Sequence, residues 1–66
     1  MNPIQIASNE TFLAFALGEA LNTLSASTGI SLESLVEQFP ANKKLQQSCA
    51  ELVALAAKTT SDVINN

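Results

Sequence analysis

The stretch that decides the fold is TGISLESLVEQFPAN, Thr28 to Asn42, because it carries successive signals for where helices end and begin. Gly29 accepts the left-handed conformation that closes a helix. Ser31 is a good N-cap for a following helix. Pro40 disfavours helical geometry in the residue before it, so that helix is short. Asn42 then caps the next helix. The stretch therefore predicts a short helix between two turns.

Two longer helical patterns flank this stretch. In the first, which Ser8 or Asn9 can cap, the apolar residues of one face are Leu13, Leu17, Ala20, Leu21 and Leu24. In the second, they are Leu45, Cys49, Leu52, Ala56 and Val63, flanked by Val53, Ala57 and Ile64. The sequence predicts an all-α fold: a single three-helix domain, two longer helices around a short middle one, near residues 9–27, 31–39 and 43–64.

Residues 1–8 leave two alternatives open. Asn2 and Pro3 can start a helical turn, as a cap and a first helical residue. The alternation of Ile4 and Ile6 is equally compatible with an extended or mobile lead-in.

Length and composition favour self-association. Sixty-six residues form one small domain, and a domain of this size buries only ~60% of its extended-chain surface. Domains of this size are usually stabilised further by disulfides, metals or oligomerisation. One cysteine and no histidine leave neither a disulfide nor a zinc site. We therefore expect a homodimer that completes the core.

The charge is modest but unevenly distributed. The net charge is −3, arginine is absent, and every lysine lies in residues 43–66. The acidic remainder is expected to repel nucleic acid and anionic lipid and to attract a partner protein with a basic surface. The N-terminus lacks the lysine or arginine of a secretory signal, and the longest apolar run, FLAFAL, is too short to span a bilayer. We expect a cytoplasmic protein without a membrane partner.

Residues 21–39 resemble a helix-turn-helix, with TGIS at the turn and apolar Ile30 and Leu35 behind it. Glycine in such a turn serves any helical hairpin. The second helix offers Glu33 and Glu37 and no basic residue, whereas DNA contacts come mainly from lysine and arginine. Nucleic-acid binding is therefore disfavoured.

The sequence indicates no catalytic, cofactor or metal site. Histidine is absent, and the two glycines form no phosphate-binding loop. Cys49 lies on an apolar face between Leu45 and Leu52, which favours a buried packing role over a nucleophile. Glu33 and Glu37 are one helical turn apart, and solvated side chains explain them better than a catalytic pair.

The candidate interface residues are Phe12, Phe15, Glu19, Glu33 and Glu37. Both phenylalanines project away from the predicted apolar face of their helix. They either pack beneath the N-terminal segment on Ile4 and Ile6 or form an interface. Gly18, mid-helix beside them, either permits close helix approach or is simply tolerated.

We therefore expect a small acidic helical protein-protein interaction module that binds a partner and sterically regulates or inhibits it. Regulatory adaptors, small chaperones and phage- or plasmid-encoded inhibitors share this size and charge. Two alternatives are a DNA-associated regulator that uses residues 24–39 and a purely structural self-assembly unit.

Overall fold

The computed structural model describes all 66 residues, and every regular element is helical. Helix α1 spans Pro3–Ala7, α2 spans Glu10–Thr28, α3 spans Leu32–Gln38 and α4 spans Lys43–Ile64, with a 3-10 turn at Phe39–Ala41 between the last two. The all-α prediction is confirmed. The chain has four helices instead of three, because the first residues form a helix of their own.

Helix α1 exists because its first turn is capped from both sides. The Gln5 backbone amide donates to Asn2 Oδ1 at 2.9 Å, and the Asn2 amide donates to Gln5 Oε1 at 3.0 Å. This reciprocal pair is a capping box, and Pro3 occupies the first helical position. Ile6 is the one buried residue of α1, whereas Ile4 is 78% exposed. The apparent alternation of the two isoleucines thus does not reflect an extended segment.

The N-terminal segment is also held by the far end of α4. The backbone carbonyl of Met1 accepts from Ser61 Oγ at 2.9 Å and from Asn65 Nδ2 at 2.7 Å. Because Ser61 is buried, this contact gives its hydroxyl proton an acceptor, and the same oxygen accepts from Asn65 Nδ2 at 3.1 Å. We call these three residues the terminal clasp. It places α1 against the C-terminal half of α4.

The turn between α2 and α3 follows the sequence signals. Gly29 has a φ of 76°, and its amide donates to the Ser25 carbonyl, so it ends α2 in the left-handed conformation. The Ser25 hydroxyl donates to the Ile30 carbonyl at 2.6 Å across the turn. Ser31 caps α3 through its side chain, and Asn42 caps α4 in the same way. These contacts fix where α3 enters the fold.

The two glycines are expected to respond in opposite ways to alanine. Apart from the adjacent residues and the backbone of the same helix, no atom lies within 4 Å of a Cβ added at either position, so space does not distinguish them. Gly29→Ala should lower the free energy of unfolding by about 1 kcal/mol, because a Cβ disfavours positive φ. Gly18→Ala should raise it by about 0.5–1 kcal/mol, because mid-helix glycine loses more entropy on folding. Urea unfolding followed by circular dichroism measures both, and shifts of the same sign would contradict this account.

The end of α3 differs from expectation in one respect. Phe39 keeps helical geometry, with φ −50° and ψ −47°, although it precedes proline. Pro40 ends the helix in another way, because it has no amide to donate to a carbonyl one turn earlier. The chain tightens into the 3-10 turn, which Gln46 Nε2 holds by donating to the Phe39 carbonyl at 2.7 Å.

The core is small and lies where α2, α3 and the N-terminal half of α4 meet. It consists of Ala20, Leu21, Leu35, Leu45 and Cys49. Leu17, Leu24, Phe39 and Leu52 pack against its edge. Only ten of the 66 residues are buried, and the two least accessible, Cys49 and Ala57 at 1% exposure, have small side chains. The interior is therefore too thin to enclose both faces of any helix.

The buried face of α4 matches the predicted one in part, since Leu45 and Cys49 belong to that face and Val53 and Ala57 to its predicted flank. Its buried residues recur every four positions: Leu45, Cys49, Val53, Ala57 and Ser61. Four residues turn an α-helix by about 40° more than one full turn, so this row winds away from α2 and towards α1. Val63 and Ile64 consequently lie outside, at 73% and 55% exposure. Leu13 of α2, also predicted in the core, is 44% exposed.

The molecule is elongated and exposes more surface than its mass requires. Its extents are 37 × 20 × 18 Å and its radius of gyration is 12.5 Å, whereas a compact chain of this length has about 11 Å. Its accessible area is 4723 Å², whereas a folded monomer of its 6.9 kDa exposes about 4,000 Å². The excess is about 700 Å².

Candidate interaction surfaces

The phenylalanines of α2 differ in how far they are covered. Phe12 is partly buried, but Phe15 is 74% exposed. Ile4 is exposed as well, so Phe15 does not pack beneath the N-terminal segment. Glu19 is exposed one turn beyond Phe15 on the same side of α2. These three predicted residues therefore lie along one side of the helix.

That side of α2 borders a shallow groove against α4. Its walls are Ala16, Glu19 and Thr23 from α2 and Leu55, Ala56 and Thr59 from α4. Helical spacing places Phe12 and Phe15 one turn before Ala16 and Glu19, and Val63 one turn after Thr59. We call this surface, with Phe15, Leu55 and Val63 as its most exposed large side chains, the α2/α4 face.

Leu55 and Val63 were not recognised as interface candidates from the sequence. Leu55 is 61% exposed and lies beside the predicted apolar face of α4, not on it. Val63 fits the apolar repeat and was therefore assigned to the core. The sequence signal that could have identified them is the arc of apolar positions on α4, which is wider than one buried face needs.

A second groove opens on the opposite side of the molecule and is almost entirely apolar. Its lining includes Leu13, Leu17, Phe39, Cys49, Ala50 and Val53, and it has a volume of about 340 Å³. Burial raises the pKa of the Cys49 thiol, because the anion would lose its hydration. A protonated, 1% exposed thiol packs as a small apolar side chain.

Glu33 and Glu37 form a separate surface, which we call the acidic strip. Both are exposed on α3. They lie two residues before and two residues after the buried Leu35, on the opposite side of the helix. The one ion pair of the chain joins Lys58 to Asp62 at 3.0 Å, so neither glutamate is neutralised by a lysine. The acidic strip and the α2/α4 face are on different helices, so the predicted interface residues form two surfaces.

No three histidine, cysteine, aspartate or glutamate side chains lie close enough to share a metal ion. None of the helices combines the length and the hydropathy needed to cross a lipid bilayer.

Comparison with known proteins gives no relative. No protein-family model, curated protein or solved structure matches this chain significantly.

Proposed function

We propose that this chain is a small acidic helical interaction module that binds a partner protein in the cytoplasm and regulates or inhibits it sterically. In this proposal the chain performs no catalysis. A rigid helical surface covers a functional site of the partner or holds one of its conformations.

The observation that carries the proposal is the set of large apolar side chains that remain exposed. The chain exposes about 700 Å² more than a folded monomer of its mass, and ten large apolar side chains remain outside. Exposed apolar side chains, where they cluster, commonly mark protein-binding surfaces.

The charge distribution supports a basic partner at the acidic strip. Glu33 and Glu37 lie on α3, while all three lysines belong to α4. Opposite charge on a partner would steer its approach and select its orientation. The same glutamates disfavour the DNA-associated alternative, since α3 would present them to a polyanion.

Charge reversal tests this function directly. In Glu33→Lys/Glu37→Lys, stoichiometric capture of a partner from a lysate of the encoding organism should fall at least tenfold, because steering and contact both reverse sign. Wild-type capture should weaken as salt screens exposed charges. Quantitative mass spectrometry of the bound fraction gives the measurement.

The matched control is Glu10→Lys/Glu51→Lys, which changes the net charge equally at exposed positions on α2 and α4. Its capture should stay close to wild type. Equal loss of capture in both variants would show that the net charge alone causes the effect. Unchanged capture by Glu33→Lys/Glu37→Lys would exclude the acidic strip as the partner site.

A further inference from the structure

The buried residues of the chain divide into two groups. Half of them form the core where α2, α3 and α4 meet. The others lie outside that core: Ile6, Ala16, Val53, Ala57 and Ser61. One of these is the only buried residue of α1, and three belong to the buried row of α4. The packing of α1 against α4 is therefore separate from the core.

Two contacts fix the direction in which the N-terminal segment runs along α4. The Met1 carbonyl accepts from Ser61 Oγ at 2.9 Å, and Ala7 borders the same apolar groove as Val53. Val53 and Ser61 are eight positions apart on one helix, which is about 12 Å, a distance that residues 1–7 can span. Ala57 lies midway between the two contacts and is 1% exposed. Residues 1–7 therefore run antiparallel to α4 and cover Ala57.

Few interactions hold this segment against α4. Ile6 is its one buried side chain, while residues 1–5 are all exposed. The Asn65 side chain that bonds Met1 is exposed too, so water can replace that hydrogen bond at little cost. A five-residue helix is not stable by itself. Segments with so few buried contacts open with a free energy well below that of global unfolding.

Release of α1 leaves α2 intact. Asn9 caps α2 with its own side chain, because its Oδ1 accepts from the Phe12 amide at 2.9 Å. Ser8, between the two helices, is exposed. The chain can therefore turn at Ser8 without shortening α2 or disturbing the core.

We infer that residues 1–8 form a releasable strap, in which α1 leaves α4 while the core stays folded and uncovers Val53 and Ala57. Because Val53 also lines the apolar groove beside α2, release extends that groove along α4. The strap thus sets how much apolar surface α4 presents. This inference goes beyond the proposed function and involves neither glutamate of the acidic strip.

Amide hydrogen exchange of the wild-type chain tests the release. The Ile6 and Ser8 amides, which donate to the carbonyls of Asn2 and Ile4, should exchange at least about tenfold faster than core amides such as that of Cys49. They should still be protected relative to an unstructured chain. Low urea should hardly change their rates, because release exposes little surface.

Two results of this measurement would overturn the inference. Equal exchange rates and equal urea dependence in α1 and the core would show one cooperative unit. Unprotected amides in α1 would show that the strap is not closed in the folded protein.

Ser61→Ala weakens the strap at a single contact. Loss of the hydrogen bond to the Met1 carbonyl should accelerate exchange in α1 by about two- to tenfold and leave core exchange unchanged. The matched control is Ser48→Ala, the same change on α4 outside the stretch from Val53 to Ser61. It should leave exchange in α1 unchanged. The same result for both variants would contradict the inference.

The surface beneath the strap is tested with 8-anilinonaphthalene-1-sulfonate, a dye that binds exposed apolar surface. Ile6→Glu should release α1, because an unpaired carboxylate is unfavourable in a buried site. Dye fluorescence should then rise at least about twofold, while cooperative urea unfolding persists. Ile4→Glu makes the same change at 78% exposure and should resemble wild type.

Global unfolding of Ile6→Glu would overturn the inference, and so would wild-type dye fluorescence. None of these measurements depends on the acidic strip. A releasable strap in a chain that captures no basic partner would therefore refute the proposed function alone, and partner capture by a chain without strap release would refute this inference alone.

Discussion

Leu35→Ala is expected to leave the chain largely unfolded at 25 °C. Leu35 is 3% exposed and is the only buried residue of α3, where it joins that helix to α2 and α4. Removing a buried leucine side chain costs about 2.7–5.0 kcal/mol. A domain of this length has a total stability of roughly 3–5 kcal/mol. Loss of most far-UV circular dichroism and of cooperative urea unfolding is the expected result.

The neighbouring Val36→Ala is the matched control for this loss. Val36 is 53% exposed on the same helix, so its substitution should change the free energy of unfolding by less than about 0.5 kcal/mol. If Leu35→Ala unfolded at the same urea concentration as Val36→Ala, the position of α3 against the core would be incorrect.

Ile6→Ala is expected to detach α1 while the other helices persist. Ile6 is 4% exposed and is the only buried side chain of α1. A five-residue helix is unstable in water by itself, so it depends on this anchor. Removing a buried isoleucine side chain costs about 2–5 kcal/mol of stability. Here the loss cannot exceed the free energy with which α1 packs against the rest of the chain. Amide hydrogen exchange should become fast in residues 3–7 and stay slow in the core.

The control for Ile6→Ala is Ile4→Ala, which removes the same side chain at 78% exposure. It should leave exchange in α1 nearly unchanged. Global unfolding by Ile6→Ala would show that α1 belongs to the same cooperative unit as the core. No change in α1 exchange would show that Ile6 is not its anchor.

The helix boundaries could be predicted because their signals are local. Asn9, Ser31 and Asn42 cap the next helix with their own side chains, and Gly29 ends α2 by its own dihedral angles. The sequence leaves helix α1 as one of two alternatives. Its capping box favours a helix, whereas the alternation of Ile4 and Ile6 favours an extended segment.

The buried faces could not be predicted as well, because they depend on which helix lies opposite. The apolar repeat of α4 suits one straight partner, but this helix packs against both α2 and α1. Ala57 and Ser61 are therefore buried while Val63 is exposed. Among the candidate site residues, the exposure of Phe15 and of both acidic-strip glutamates follows from position on the helix. The groove beside Glu19 could not be predicted, because it depends on where the fold places Leu55.

The terminal clasp has a consequence for the order of folding. The contacts of the core cluster join residues within positions 20–49, whereas Ser61 reaches Met1 across 60 positions of chain. Closing that longer loop requires a larger loss of chain entropy before any contact compensates for it. We therefore expect the central helices to form the folding nucleus and the two ends of the chain to meet after the rate-limiting barrier has been crossed. Contacts made that late are expected to slow unfolding and to leave the folding rate unchanged.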